Sequence, residues 1–309
     1  MKSSCHSMEF RTIVDIADPG FRIEPCEQML FVGSCFADSF GMRFREVGFP
    51  VTVNPYGTMY NPASIVHTIE RLLARPEGAS PSERTATYST AFLTLGTNHV
   101  YRLKETGEIV DNCQKRPAAL FQEEALSVDA CAACLVKAVT LLRQANPDIR
   151  IVLTVSPIRY RKYGYHGSQL SKATLLLAVD RLLAGRQAEE TGQAGHSSNT
   201  GHASQMAYFP AYEILNDELR DYRFYAPDML HPSGQAVDYI WERLVDSYFS
   251  AEAKGFLDEW RPVKQALGHT PFHPDSPEYI RFLDNTRSRL RALQEKYPKI
   301  MLPYEKLFD

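Results

Sequence analysis

The run Met29-Leu30-Phe31-Val32-Gly33-Ser34-Cys35-Phe36-Ala37-Asp38 sets the frame for the whole chain. Its apolar half has the composition of a strand buried on both faces. Gly33 then ends that half and a hydroxyl and a thiol follow side by side. A buried strand that delivers a nucleophile into a tight turn at a sheet edge has this form. Near the other end, Asp228-Met229-Leu230-His231 places a carboxylate three residues before a histidine, with Pro232 closing the segment. A nucleophile, a base and a group that orients the base are the minimum parts of covalent acyl-transfer chemistry.

Working outward from the first run, apolar stretches alternate with segments of helical period, which argues for parallel strands joined by helical crossovers. Strands are predicted at Met29–Gly33, Pro50–Val53, Phe92–Gly96, Ile149–Val155 and Tyr208–Leu215. Helices are predicted to begin near Ala37, Pro62, Glu123, Ser168 and Gly234, the third reading as helix from Glu124 to Ala145. Val100–Val110 holds Glu105-Thr106-Gly107-Glu108 and reads as a hairpin-like insertion after the third strand. Gln187 to Gln205, rich in Gly, Ser, Ala, Thr and Asn, reads as a flexible loop. The expected architecture is a three-layer α/β/α domain over residues 10–250, its site at the carboxyl ends of the strands. From about Ala251 the character changes, and 251–309 is expected to be a helical extension packed on that domain. Within it, Ile280, Leu283, Leu290 and Leu293 are spaced for an amphipathic helix.

Bulk composition narrows the partners. The chain has 309 residues, 44% hydrophobic and 23% charged, with a net charge of −3. That is an ordinary globular composition, with no electrostatic reason to expect nucleic acid or an anionic membrane. The start has no apolar core of a secretory signal and no run reaches membrane-span length, so a cytoplasmic address is expected. The 6 cysteines are too dispersed for a disulfide framework. Cys131-Ala132-Ala133-Cys134 is a C-x-x-C without a second half, and reads as packing within a helix rather than a metal site. No cofactor is expected. Oligomeric state is not legible here.

Gly33-Ser34-Cys35-Phe36-Ala37 resembles the signature of the GSCFA family. The resemblance continues through Asn54-Pro55-Tyr56-Gly57-Thr58-Met59-Tyr60-Asn61-Pro62, Thr94-Leu95-Gly96-Thr97, Asn112-Cys113, Thr154-Val155-Ser156-Pro157-Ile158-Arg159 and the Tyr208–Trp241 segment. That family is similar to a branch of the SGNH/GDSL hydrolases: flavodoxin-like domains that cleave or transfer esters, often acetyl groups on sugars. The resemblance therefore implies a flavodoxin-like SGNH domain acting as an ester hydrolase or acyltransferase on a small-molecule or carbohydrate ester.

Laid on this chain, the superfamily's first block falls on Gly33, Ser34 and Cys35, which puts a thiol at the nucleophile position. Asp228 and His231 match its last block without a gap. Gly57 is the candidate for the glycine N–H of the oxyanion hole. Asn98 and Asn112 both compete for its asparagine. Cys35 is the expected nucleophile with Ser34 as the alternative, and a helix N-terminus with a nearby imidazolium would favour the thiolate. Arg159, just past a strand end, is a candidate for binding a substrate anion. Asn54 and Asn61, each before a proline, read as turn-formers. The competing readings are a serine esterase using Ser34 and a module on the same fold that holds a glycan or metabolite without turnover. Hydrolase and transferase stay undivided at this level.

Overall fold

The computed structural model describes residues 10–74, 88–111, 113, 116–190 and 205–301. Parallel strands β1 (Met29–Gly33), β2 (Val51–Val53), β3 (Thr90–Leu95), β7 (Arg150–Val155) and β8 (Met206–Tyr208) form one sheet in the order β2-β1-β3-β7-β8. Numbered among themselves, these strands run 2-1-3-4-5, the flavodoxin order. The crossovers are α1 (Cys35–Glu46), α2 (Pro62–Leu73), α3 (Val128–Ala145) and α4 (Gly164–Glu190).

Side chains alternate between two cores, as strand geometry requires. Met29, Phe31, Phe92 and Val152 face one layer, with Phe36, Phe40 and Phe44 of α1 and Ile240 and Leu244 of α6 (Gly234–Tyr248). Leu30, Val32, Leu93, Ile151 and Leu153 face the other, with Ile65 and Ile69 of α2, Leu135 and Leu142 of α3 and Leu175 of α4. Burial on both faces is why these strands read as unbroken apolar runs. The result is a three-layer α/β/α domain.

The insertion after β3 is the predicted hairpin, enlarged: β4 (His99–Leu103) pairs antiparallel with β5 (Ile109–Val110) and also with β6 (Phe121–Ala125). The helix predicted from Glu123 therefore begins later. Gln122, Glu123 and Glu124 are good helix formers, but they sit in the β6 ladder, and Ser127 caps the true start by accepting from Ala130 N. Pairing with β4 overrides local preference here.

The predicted strand Tyr208–Leu215 is also corrected. It stops at Tyr208; Pro210 then precedes the short helix α5 (Ala211–Glu213), which continues as a π-helical turn over Ile214–Leu219. Proline offers no N–H to a ladder, and the buried set Ala211, Ile214, Leu215, Glu218 and Leu219 has helical rather than alternating spacing. α4 begins at Gly164, ahead of Ser168. Of the stretch 187–205 read as a loop, residues 191–204 lie outside those described, and α4 runs to Glu190.

α7 (Ala251–Leu267) and α8 (Pro277–Lys296) close the α1 side. Phe256, Trp260 and Val263 of α7 join Leu290 and Leu293 of α8 in the first core. The Trp260 indole N–H donates to the Glu46 carbonyl at 2.9 Å, and Lys264 pairs with the Glu46 carboxylate at 2.9 Å. Leu283 of the predicted stripe is half-buried and Ile280 is exposed. No helix among the described residues is long and apolar enough to cross a membrane.

Candidate active site

The turn after β1 explains each residue of the signature. Gly33 has φ +145°, outside the range of L side chains, and a Cβ there would overlap the Thr94 carbonyl on the neighbouring strand. Ser34 is fully buried: its N–H donates to Thr94 O at 3.0 Å, and its hydroxyl caps α1 by accepting from Phe36 N at 3.3 Å. The Ser34 and Thr94 hydroxyls also meet at 3.3 Å. Cys35 is the first residue of α1 and is only partly buried. Of the two adjacent nucleophile candidates, the hydroxyl points into structure and the thiol toward the site.

Cys35 Sγ lies 3.3 Å from His231 Nε2, and His231 Nδ1 lies 2.5 Å from Asp228 Oδ2. The second carboxylate oxygen of Asp228 accepts from the Leu230 and His231 N–H groups at 2.9 and 3.0 Å. These two backbone bonds, with the His231 side chain, hold the Asp228 carboxyl down at about 2. A depressed carboxylate gives its support above its unfolded value and loses it only as pH falls through about 2, so Asp228 is charged throughout the neutral range. The segment is a loop, as Pro227 and Pro232 foretell. Ala226 N donates to His231 O at 2.8 Å, and Met229 takes a left-handed φ of 59°.

Arg159 belongs to this loop's support. Its N–H donates to Leu230 O at 3.0 Å and its guanidinium to Met229 O at 3.0 Å, while the Tyr165 and Tyr225 rings flank it at 4.3 and 5.3 Å. Its donors are thus engaged with the backbone of the loop that carries His231.

The oxyanion candidates fare differently. The Gly57 N–H is donated to Asn54 O at 2.8 Å, closing a turn, so in this arrangement it is not free. Asn98 is buried and its amide donates to Leu126 O at 2.7 Å. Asn112 lies outside the described residues. The Cys35 N–H is different: it lies against its own thiol and lowers that thiol's pKa.

The expectation of a favoured thiolate is reversed. Burial pushes Cys35 above its ordinary value, aided by Asp38 and Asp228, against the pull of its own N–H and of Lys172. The thiol is thus held in its protonated form more firmly than a free cysteine, 3.3 Å from His231 Nε2. Cys26 and Cys131 are pushed up to about 12 by burial, which makes them inert at neutral pH. Among the described residues no group of three or more His, Cys, Asp or Glu side chains is placed to hold a metal ion.

Several residues here escaped the sequence reading. Asn54, left-handed at φ 40°, accepts from Gly33 N at 2.9 Å and donates to Asp38 at 2.8 Å, while Thr58 donates to Asp38 at 3.1 Å. It ties the second block to the first, beyond forming a turn. Asn61 is the N-cap of α2, as a turn-former would be. Lys172 and Tyr160 gave no motif signal and Tyr60 only as a member of the second block, yet a charge on Cys35 is felt at all three.

The GSCFA family model matches residues 28–88 and 77–244, and a model of the GSCFA domain protein C-terminal domain matches 260–307. The chain belongs to the GSCFA family. The GSCFA residues are thus the strand-end turn, its cap and its thiol, and the sheet order and the Asp-x-x-His loop agree with a place among SGNH folds. A comparison with curated proteins gave no match.

Among solved structures, this GSCFA chain is similar to a putative platelet activating factor from Streptococcus pneumonia, at 15% identity, with 72% of this chain and 84% of that one covered and a TM-score of 0.39. It is similar to a carbohydrate esterase family 3 protein from Talaromyces cellulolyticus, at 9% identity, 76% and 99% coverage and a TM-score of 0.37. It is also similar to an acetyl xylan esterase from the rumen bacterium Butyrivibrio proteoclasticus, at 12% identity, 72% and 63% coverage and a TM-score of 0.39. Likeness this distant does not carry an activity from those proteins to this GSCFA chain.

Proposed function

We propose that this chain is an SGNH-type ester hydrolase or O-acyltransferase, acting on small-molecule or carbohydrate acyl esters, acetyl esters foremost. The observation that carries the reading is the continuous line from Cys35 Sγ through the His231 ring to Asp228, at 3.3 and 2.5 Å. That is the spacing nucleophile, base and orienting group require.

In this reading His231 Nε2 takes the thiol proton as Sγ attacks the acyl carbon. The carbonyl π-electrons move to oxygen, and the Cys35 N–H donates to the oxyanion. Collapse of that intermediate breaks the ester C–O bond, and the departing alkoxide takes the proton from His231. Water or a hydroxyl acceptor then attacks the thioester while His231 removes its proton. The second tetrahedral intermediate collapses with breakage of the C–S bond, releasing the acid or the transferred ester, and the departing Cys35 thiolate takes the proton back from His231. Asp228 fixes the ring with Nδ1 protonated and stabilises the imidazolium of each step. Rings near the pair, the exposed Tyr60 and, about Arg159, the exposed Tyr165 and half-buried Tyr225, offer flat amphipathic faces suited to a sugar.

The test is an acyl-enzyme trap. Short-chain aryl esters and acyl-CoA donors are offered at neutral pH, the protein is quenched in acid, and its peptides are mapped by mass. A hydroxylamine-labile acyl group on the Cys35 peptide is expected. Its absence with every donor, with no turnover, would sink the reading and leave a pocket that only holds ligand.

Asp228→Asn probes the third member. Asparagine keeps an acceptor for the Leu230 and His231 N–H groups, so the loop and the thermal midpoint are expected to survive. Turnover is expected to fall on the order of ten-thousandfold, because the ring loses its tautomer and the imidazolium its counter-charge. Equal rates in the two proteins would reduce Asp228 to a loop former.

A further inference from the structure

Among the described residues, Lys172 is the one fully buried ammonium. It lies on α4, is 2% exposed, and donates to Gly96 O at 2.6 Å and Ser156 O at 2.7 Å. Those carbonyls lie just beyond the carboxyl ends of β3 and β7, where the strands open onto the Cys35 turn. Among the described residues no carboxylate pairs with it. A lone buried cation is costly, and folds retain one where some anion, permanent or transient, answers it.

Gly96 and Ser34 link Lys172 to the thiol's turn. Gly96, whose carbonyl the lysine holds, lies against Ser34, the residue before Cys35: a Cβ on Gly96 would come within 3.2 Å of Ser34 Cβ and would overlap the Tyr160 hydroxyl. That hydroxyl is buried without a hydrogen-bond partner, and Lys172 Nζ sits 4.9 Å from the Tyr160 ring centre. A charge on Cys35 is felt at both Tyr160 and Lys172.

We propose that Lys172 is the counter-cation of Cys35: a positioning residue whose ammonium, fixed by the Gly96 and Ser156 carbonyls, supports negative charge on the thiol and on the oxyanion formed beside it. The proposal rests on reading Cys35 as the site's nucleophile. Burial holds Lys172 down to about 7, and the charge on Cys35 is what raises it; reciprocally, Lys172 lowers Cys35 against burial. Each group's charge therefore favours the other's. The other groups facing the thiol are Asp38 from α1, Asp228 and His231 from the loop before α6, Tyr60 from the loop before α2 and Tyr160 from the segment after β7. Those facing Lys172 are Tyr160 and Tyr212, the latter at 5.9 Å.

The experiment follows alkylation of Cys35 against pH, by mass of its peptide, with iodoacetamide and with iodoacetate. It compares the full chain with Lys172→Met and with Lys172→Gln, which leaves an uncharged donor for the same carbonyls. Loss of the cation is expected to move the alkylation midpoint up by about one unit, slowing reaction at pH 7 on the order of tenfold. The anionic reagent is expected to lose more than the neutral one. An unchanged midpoint, or equal slowing of both reagents, would overturn the proposal and make Lys172 a structural donor. No ester turnover is involved. A Lys172-dependent midpoint in a protein that turns over no ester would leave this pairing standing while the acyl-transfer reading fell.

Discussion

Cys35→Ala is expected to bring turnover of any accepted ester down to the uncatalysed background, while Ser34→Ala retains a measurable fraction of it. The argument is geometric. The thiol reaches the imidazole at 3.3 Å, whereas the neighbouring hydroxyl is committed to Phe36 N and Thr94. Removing a nucleophile typically removes nearly the whole chemical acceleration, on the order of a millionfold in a serine protease. The two variants are also expected to separate in stability. Ala at 35 removes only a partly buried thiol. Ala at 34 deletes an N-cap and strands the Thr94 hydroxyl, costing about 1–2 kcal/mol. Steady-state rates and thermal midpoints on the pair make the check. Full activity in Cys35→Ala with none in Ser34→Ala would transfer the nucleophile to serine, and the cap would then have to open.

Gly33→Ala is expected to be the most damaging single change to the fold. At φ +145° an alanine is strained whatever the space around it, and its methyl would fall on the Thr94 carbonyl. That carbonyl is the acceptor for Ser34 N, and the Gly33 peptide also holds the second block: Gly33 N donates to Asn54, and Gly33 O accepts from Met59 N at 2.8 Å. Relieving the overlap parts β1 from β3 at the point where both strands are fully buried. A loss above about 4 kcal/mol follows, the range reserved for such combined strain and lost packing. Urea titration followed by far-UV dichroism measures it; a midpoint near that of the unmodified chain would show that the turn can relax.

The parts of this structure that were legible in the sequence are those where one physical pressure dominates. Met29–Val32 had to be apolar on both faces, and glycine suits the turn that follows, so the strand, the turn and the place of the thiol at the head of α1 were readable together. Asp228 and His231 were readable because the intervening spacing and flanking prolines fix a short loop. Where two pressures compete, the sequence misleads. Gln122 to Glu124 prefer helix but serve as a ladder partner for β4, and the apolar run at Tyr208–Leu215 hid its period change behind Pro210. The polar groups at the base of the site were not readable at all. Lys172 shares the buried face of α4 with Leu175, Ala178 and Val179, where the sequence gives no sign of what its ammonium meets, and Asn54 looks like any Asn-Pro turn. Their roles depend on contacts from residues far away in the chain. The same is true of Gly57 and Asn98, which matched by block but spend their hydrogen bonds on Asn54 and Leu126.

The Trp260 indole and the Lys264 ammonium both grip Glu46, the last residue of the helix whose first residue is Cys35. At about 1.5 Å per residue that helix is a short rigid rod, on the order of 18 Å long, with the thiol at its tip. The tail of the chain thus anchors the butt of the rod. A chain trimmed after Phe249 would bare Phe49, which α7 otherwise covers through Phe256. It would also leave the rod free to pivot. Expressing the front part alone would yield a sticky protein whose thiol wanders out of line with its base, and the defect would be read in kcat rather than in KM.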